Sequence, residues 1–186
     1  MGSDKKELPT QPSFIGKEIY LRSAVAEDMA NYQHWFLLSE PQSMSCHPMP
    51  ILTPAEAVEK YKKKEKSEND QRFIIVRIKD NQPLGIISFF NMNSLNRSAE
   101  LGIIIDPDER KNGYAVEALK LLISYLFKFR NLNKVYAETA DYNSSSIRLL
   151  ESVGFKLDGR LRNHHYFNDE YHDKLNYSFL RFELDW

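Results

Sequence analysis

Asp106-Pro-Asp-Glu-Arg-Lys-Asn-Gly-Tyr-Ala115 stands between an apolar run, Leu101 to Ile105, and an amphipathic run, Tyr114 to Phe129. This order predicts a strand, a tight turn and a helix N-terminus. Gly113 can take backbone angles closed to other residues, and Ala115 is small enough for a ligand to approach closely. Backbone N–H groups at a helix N-terminus bind anions. The stretch therefore predicts a turn that holds a pyrophosphate.

Apolar patterns on both sides of this turn predict an α+β fold. Alternating or continuous apolar runs predict seven strands, at Lys17–Ser23, Phe73–Ile78, Leu84–Phe90, Ala99–Ile105, Lys134–Thr139, Phe155–Tyr166 and Tyr171–Phe182. Helical spacing predicts about four helices, at Ala26–Leu38, Pro54–Ser67, Asn112–Arg130 and Ser144–Val153. Short connections join most strands in antiparallel pairs, but the strand at 134 follows a helix and should lie parallel to the strand before that helix. A mixed, mostly antiparallel seven-stranded sheet with one parallel pair results.

Bulk composition favours a single soluble domain. We expect a flexible leader over residues 1–13 and one domain over residues 14–186, since 186 residues suffice for one core. The 25 Lys and Arg nearly balance 26 Asp and Glu, so no overall field favours nucleic acid or a membrane. A single cysteine, Cys46, excludes an internal disulfide, and no apolar run approaches the roughly 18 residues of a membrane span. A cytoplasmic location follows as an expectation.

Two common phosphate-binding motifs do not fit the turn. A nucleoside triphosphatase would carry Gly-Lys-Ser/Thr, whereas Tyr114-Ala-Val follows the glycine here. A dinucleotide-binding fold would show three spaced glycines and a further parallel βαβ unit, and both are missing.

Four motifs, taken in order, resemble the GNAT superfamily of acetyl-CoA-dependent N-acyltransferases over nearly all of residues 17–182. Arg110-x-x-Gly-x-Ala115 is similar to the family's pyrophosphate loop, and Asn143-x-x-Ser146 with Glu151-Ser-Val-Gly-Phe155 is similar to its second cofactor motif. Leu21-Arg22 with Glu27-Asp28 resembles its opening strand and helix. The ending from Gly159 to Leu180 resembles the branch of ribosomal-protein N-terminal and spermidine acetyltransferases.

The resemblance implies acetyl-CoA as co-substrate, with no metal. In the family, pantetheine lies where two parallel strands splay apart, which here implies backbone contacts at Gly102–Ile105 and Ala137–Thr139. An oxyanion donor is implied among the N–H groups of residues 103–105. The implied cofactor-binding residues are Ile103, Ile104, Ile105, Arg110, Lys111, Asn112, Gly113, Tyr114, Ala115, Asn143 and Ser146.

Two residues are candidates for proton transfer. Several family members place a glutamate like Glu100 as the base that deprotonates the amine; the alternative is a carboxylate paired with Arg97 or solvated. Many members carry a tyrosine acid where this chain has Leu150. Ser146 is then the candidate acid, although Asn143 and Ser146 also fit plain capping of a helix.

Aromatic and charged residues near the two ends of the domain are candidates for the acceptor site. The candidate substrate-binding residues are Trp35, Tyr166, Tyr171 and Asp173, with Phe36 and His47 as further cleft candidates, although single aromatics are more often core. His164, His165 and His172 lack metal-ligand spacing, and Cys46 lacks a predicted acid–base partner.

The sequence therefore predicts an enzyme that acetylates a primary amine, either a protein N-terminus or a small amine, by direct attack in a ternary complex. A polyamine acceptor predicts that Glu40, Glu170 and Asp173 converge, whereas a peptide predicts a groove not sealed by the 41–50 loop. The alternatives are an amino-sugar N-acetyltransferase, a coenzyme A-binding sensor without turnover, and a plain structural domain. Exposed strand edges near the C-terminus favour a homodimer.

Overall fold

The computed structural model describes residues 13–39, 50–63 and 67–186. Within these ranges the chain forms one eight-stranded sheet and four α-helices. The strands are β1 (Phe14–Ile15), β2 (Ile19–Ser23), β3 (Gln71–Arg77), β4 (Pro83–Asn93), β5 (Ser98–Ile105), β6 (Lys134–Ala140), β7 (Lys156–Phe167) and β8 (Glu170–Leu180). The helices are α1 (Asp28–Leu38), α2 (Pro54–Lys63), α3 (Tyr114–Lys128) and α4 (Ser144–Val153).

The strand order is β1-β2-β3-β4-β5-β6-β8-β7, and β5–β6 is the parallel pair in an otherwise antiparallel sheet. The predicted fold class is confirmed. The strand that the sequence did not predict is β1, because two residues are too short to show an alternating pattern. Most of the leader and of the loop after α1, including Glu40, Cys46 and His47, lies outside the described residues. No helix in the described part is long and apolar enough to cross a bilayer.

Each face of the sheet carries its own core. Alternation along β3 divides the two, since Phe73 and Ile75 join one cluster while Ile74 and Val76 join the other. The larger cluster packs the sheet against α3 and α4, and the smaller packs it against α1 and α2. We call these the α3 face and the α1 face.

Local signals fix the ends of the two helices next to the parallel pair. Helix α4 has the predicted bounds, with Asn143 as N-cap and Gly154 as C-cap at φ 103°. Helix α3 begins at Tyr114, two residues later than predicted, because Gly113 sits at φ 83° and Lys111 at φ 66°, outside the helical region. The helical turns therefore start only after the loop has reversed direction.

A buried ion pair fixes α1 against β2. The Arg22 guanidinium donates two hydrogen bonds to Asp28, with Nη1 2.7 Å from Oδ2 and Nη2 2.6 Å from Oδ1. Asp28 also accepts a hydrogen bond from the N–H of Val25, at 2.8 Å. Hydrogen bonding to Asp28 raises the pKa of Arg22, so the guanidinium stays charged below the surface.

Candidate functional site

The parallel strands separate soon after they meet. Strands β5 and β6 are in register at three positions, the last of which pairs Glu100 with Tyr136. Beyond it, β5 continues to Ile105 against β4, while β6 continues to Ala140 against β8. The gap between the strands therefore has one wall at residues 101–105 and the other at residues 137–140. This separation is the splay that the family resemblance implied.

The turn after β5 leads into an uncapped helix N-terminus. Asp106 accepts hydrogen bonds from the N–H of Asp108, at 3.1 Å, and from Nε1 of Trp35, at 2.9 Å. Within the described residues, no side chain caps the first turn of α3. A Cβ placed on Gly113 would meet no atom within 4 Å. N–H groups at an open, uncapped helix end are suited to an anion.

Arg110 stabilises the turn through two hydrogen bonds of its side chain. Its Nε donates to the carbonyl oxygen of Ile105, at 3.2 Å, and its Nη2 donates to Oγ of Ser39, at 2.6 Å. Asn112 Nδ2 donates to the carbonyl of Glu109, at 3.2 Å, while the Lys111 side chain is exposed. Arg110 and Asn112 thus hold the turn in shape, and Lys111 has its charge in solvent.

Glu100 lies at the point where the gap begins, and only 5% of its surface is exposed. Its Oε2 accepts a hydrogen bond from Asn91 Nδ2 at 2.9 Å. The alternative partner considered from sequence, Arg97, instead donates to the Asn131 carbonyl at 2.8 Å. Glu100 is therefore a buried carboxylate held by an amide, and not a solvated group at a strand end.

Polar residues extend from Glu100 across the same face of β6 and β8. Burial raises the pKa of the Tyr136 phenol, and the carboxylates of Glu100 and Glu138 add to that effect. Lys174 Nζ lies 2.8 Å from Oε2 of Glu138, with 10% and 15% of these side chains exposed. Sequence reasoning missed Tyr136 and Glu138, although their even spacing from Lys134 places them on one strand face.

Asn143 and Ser146 open α4 beside the gap. The Asn143 Oδ1 accepts from the Ser146 N–H at 3.2 Å, which confirms Asn143 as N-cap. Leu150, which stands where the family resemblance implied a tyrosine acid in many members, is buried in the core, with 4% of its surface exposed. Helix α3 follows β5 and α4 follows β6, so the N-termini of both helices lie at the end of the gap where the two parallel strands finish.

The candidate substrate-binding residues lie in two parts of the structure, the turn after β5 and the β7–β8 hairpin. Trp35 is buried and contacts the turn through Asp106. Tyr166 and Tyr171 form an exposed cross-strand pair near the tip of the β7–β8 hairpin, with ring centroids 5.0 Å apart. Asp173 accepts from Arg160 Nη1 and from the Asn163 N–H, both at 2.9 Å. The site does not gather all four residues around Glu100.

A ring cluster joins the hairpin to the turn before α4. The Tyr142 hydroxyl lies 2.9 Å from His165 Nε2, and the Tyr142 ring meets the His172 ring edge-on, with centroids 4.6 Å apart. Burial lowers the pKa of His165, and the neighbouring His172 lowers it further, against an opposing effect of Asp141. In the described part of the chain, no three His, Cys, Asp or Glu side chains are grouped to hold a metal ion.

We expect acid to loosen this cluster. Because the pKa of folded His165 is below that of the unfolded chain, the unfolded state binds an extra proton once the pH falls below about 6.5. Stability from this residue is complete above that pH and is lost as the pH falls toward the folded pKa. The melting temperature should fall less between about pH 7.5 and 5.5 in His165→Phe than in the wild type. His34→Phe, which changes an exposed histidine on α1, is the control, and equal slopes in all three proteins would contradict the assignment.

Comparison with known proteins gives the following matches. The sequence profile described as "Acetyltransferase (GNAT) domain" matches residues 18–156. A spermidine N(1)-acetyltransferase from Vibrio cholerae serotype O1 is 30% identical over 118 residues, which cover 63% of this chain and 68% of that protein. A Bacillus subtilis protein provisionally named as a ribosomal N-acetyltransferase is 35% identical over 106 residues, covering 57% of this chain and 58% of its own length.

A solved structure extends the match to nearly the whole fold. The crystal structure of spermidine N-acetyltransferase from Vibrio cholerae in complex with CoA and spermine has a TM-score of 0.82 and 24% identity. The match covers 90% of this chain and 98% of that one, and at this identity it shows the fold.

Proposed function

We propose that this chain, which belongs to the acetyltransferase (GNAT) domain family and is thereby an N-acetyltransferase, moves acetyl from acetyl-CoA to a primary amine by direct attack in a ternary complex. The observation that carries the proposal is the position of Glu100, a buried carboxylate at the point where β5 and β6 part. A base at this position meets the amine where a thioester lying in the gap would end.

The cofactor assignment rests on the turn and the gap together. The N–H groups at the start of α3 face the pyrophosphate, with Lys111 beside it, while Arg110 and Asn112 hold the loop in shape. The walls of the gap, from Gly102 to Ile105 and from Ala137 to Thr139, offer backbone groups to pantetheine. Asn143 and Ser146 contact the cofactor from the other helix N-terminus.

Acetyl transfer requires deprotonation of the ammonium, stabilisation of the oxyanion and protonation of the leaving thiolate. Glu100 removes a proton from the ammonium, and the neutral nitrogen attacks the thioester carbonyl carbon. N–H groups among residues 103–105 stabilise the resulting oxyanion. As the carbon–sulfur bond breaks, the nitrogen, now bonded to the acetyl carbon, loses its extra proton to water and becomes the neutral amide. The thiolate takes a proton from Ser146, whose hydroxyl regains one from water, or from water directly, because Leu150 has none to give.

We consider two classes of amine as the acceptor. A protein N-terminus or a small primary amine is the main candidate. A polyamine is the second, favoured by the spermidine acetyltransferases among the relatives. Of the acids that this second candidate needs, Asp173 is occupied by Arg160 and Glu170 is exposed on the hairpin, while Glu40 lies outside the described residues.

We place the enzyme in the cytoplasm as a single domain over residues 14–186. The edge strand β7 is mostly exposed along its 12 residues, which supports a homodimer. A related spermidine N-acetyltransferase from Vibrio cholerae has been solved as a dodecamer.

Gly113 provides the test of the cofactor site. Acetyl-CoA at 100 times its dissociation constant should stabilise the wild type by about 2.7 kcal/mol, a rise of roughly 5–10 °C in melting temperature. Gly113→Ala places a side chain at φ 83°, so it strains the turn and intrudes on the anion's approach. We expect its dissociation constant for acetyl-CoA to rise at least ~10-fold, the loss of one hydrogen bond to a charged group.

Gly159→Ala is the matched control, because a Cβ there also meets no atom within 4 Å and its φ is not positive. Thiol release with a panel of spermidine, amino sugars, amino acids and short peptides then tests turnover. Binding without release by any amine would instead support the sensor. A wild type that acetyl-CoA does not stabilise would reject the cofactor site.

A further inference from the structure

Arg77, the last residue of β3, contacts the turn after β5. Its Nη1 donates a hydrogen bond to Oε2 of Glu109, at 2.8 Å, across 32 positions of sequence. Glu109 ends a short 3₁₀ turn, Pro107–Glu109, and directly precedes Arg110. Only 11% of the Arg77 side chain and 18% of the Glu109 side chain are exposed. Both side chains are therefore packed against the protein, unlike the ends of a mobile surface pair.

The β3–β4 hairpin fixes the plane of the Arg77 guanidinium. Nε lies 3.0 Å from Oδ1 of Asp80 and Nη2 lies 2.8 Å from its Oδ2, while Nη2 also donates to Oε1 of Gln82, at 3.0 Å. Asp80 in turn accepts a hydrogen bond from the N–H of Gln82, at 3.3 Å. A two-point contact of this kind leaves a guanidinium little freedom to rotate. The direction in which Nη1 meets Glu109 is therefore set by the hairpin.

The same guanidinium is linked to the other side of residues 110–113. Hydrogen bonding to Asp80 is the largest cause that raises the pKa of Arg77, and hydrogen bonding to the phenol of Tyr114 is the next. Tyr114 is the first residue of α3. Glu109 and Tyr114 therefore both meet one planar group, and the residues between them form a loop held at both ends. A loop held in this way loses less conformational freedom when it binds a ligand.

Arg77 is committed to these partners and is not itself a ligand for a phosphate. Each nitrogen of its guanidinium donates to a protein side chain. The carboxylates of Asp80 and Glu109 flank one guanidinium, so the group as a whole carries negative charge and does not attract an anion. A contribution of Arg77 to the binding of pyrophosphate must therefore act through the shape of residues 110–113.

We propose that Arg77 is a positioning residue for acetyl-CoA, which holds residues 110–113 in the shape that presents N–H groups to the pyrophosphate. This inference rests on the proposed function, since it takes the start of α3 as the pyrophosphate site. Strands β3 and β5 both pair antiparallel with β4, so they run in the same direction and end at the same edge of the sheet. The β3–β4 hairpin thereby becomes part of the cofactor site, two strand spacings, or about 10 Å, away from β5.

A double-mutant cycle tests this role by isothermal titration calorimetry with acetyl-CoA. Arg77→Met and Glu109→Ala each remove the contact between the hairpin and the turn, and each should raise the dissociation constant about 10-fold. The double variant should bind as Arg77→Met does, and not about 100-fold more weakly than the wild type, because both changes break one contact. In Arg77→Met, KM for acetyl-CoA should rise while kcat at saturation stays within about 2-fold of the wild type.

The two single variants change the local charge in opposite directions, and Glu109→Ala carries the test if Arg77→Met does not fold. An effect of charge alone would make Glu109→Ala bind acetyl-CoA more tightly than the wild type. That result, an additive loss in the double variant, or unchanged dissociation constants would overturn the role of Arg77. Arg97→Met, the control, breaks hydrogen bonds to Asn131 of 2.8 and 3.1 Å at the opposite end of β5 and should bind as the wild type. A wild type that does not bind acetyl-CoA would count against the proposed function itself.

Discussion

Glu100→Gln should lower kcat/KM for the best acceptor by about 10²- to 10⁴-fold, the usual contribution of a general base. Glutamine keeps the shape of the side chain and can still bond Asn91, but it cannot take a proton from the ammonium. The melting temperature and its rise with acetyl-CoA should therefore stay close to the wild type. Thiol release and thermal melting on the same preparations measure both quantities.

The control for this variant is Glu59→Gln, which makes the same chemical change on the exposed surface of α2. Its activity should match the wild type. Two results would contradict the base assignment. One is full activity in Glu100→Gln, and the other is a loss of activity that tracks a loss of acetyl-CoA binding. The second result would make Glu100 a structural carboxylate.

Asp28→Ala should destabilise the fold by about 3–5 kcal/mol, the cost of leaving a buried charge without its partner. Arg22 would keep its charge, because a guanidinium stays protonated in proteins. It would lose both hydrogen bonds to Asp28 and keep the one that Nη1 donates to the Ser23 carbonyl, at 3.3 Å. The melting temperature of a chain of this size should fall by roughly 6–20 °C. Urea unfolding measures the change in the free energy of unfolding.

A double variant separates the free-energy cost of leaving one charge unpaired from the net contribution of the ion pair to stability. Arg22→Met with Asp28→Leu replaces both charges by apolar side chains and should recover most of the stability lost in Asp28→Ala. The exposed pair Glu59 and Lys62, 3.8 Å apart, offers the contrast: Glu59→Ala should change stability by less than about 1 kcal/mol. If the double variant is as unstable as Asp28→Ala, packing around the pair dominates instead of charge.

Local chemistry explains which elements the sequence predicted well. Helix α4 was placed to the residue because Asn143 and Gly154 mark its ends by side-chain capping and by a left-handed backbone. The start of α3 was placed two residues too early, because the positive φ of Gly113, which keeps the turn out of the helix, is not written in a hydrophobic pattern. Strand β3 begins at Gln71, two residues before its predicted start, so Arg72 was left out of the sheet.

Contacts between distant parts of the chain account for what the sequence left undetermined. Glu100 was a candidate base from its place before the turn, but its register with Tyr136 depends on strands separated by a whole helix. The Lys174–Glu138 pair joins residues 36 positions apart. No periodic pattern in one segment specifies such a pairing, because register is set by packing and not by the strand alone.

The three-position contact between β5 and β6 makes this sheet two half-sheets joined at a short seam. Beyond the seam, each of these two strands pairs with another described strand on one side only. Under the proposed function, a bound pantetheine arm would take the place of the missing strand, and its binding free energy would add to the stability of the sheet. The co-substrate would then be a structural member of the enzyme that each turnover removes and restores.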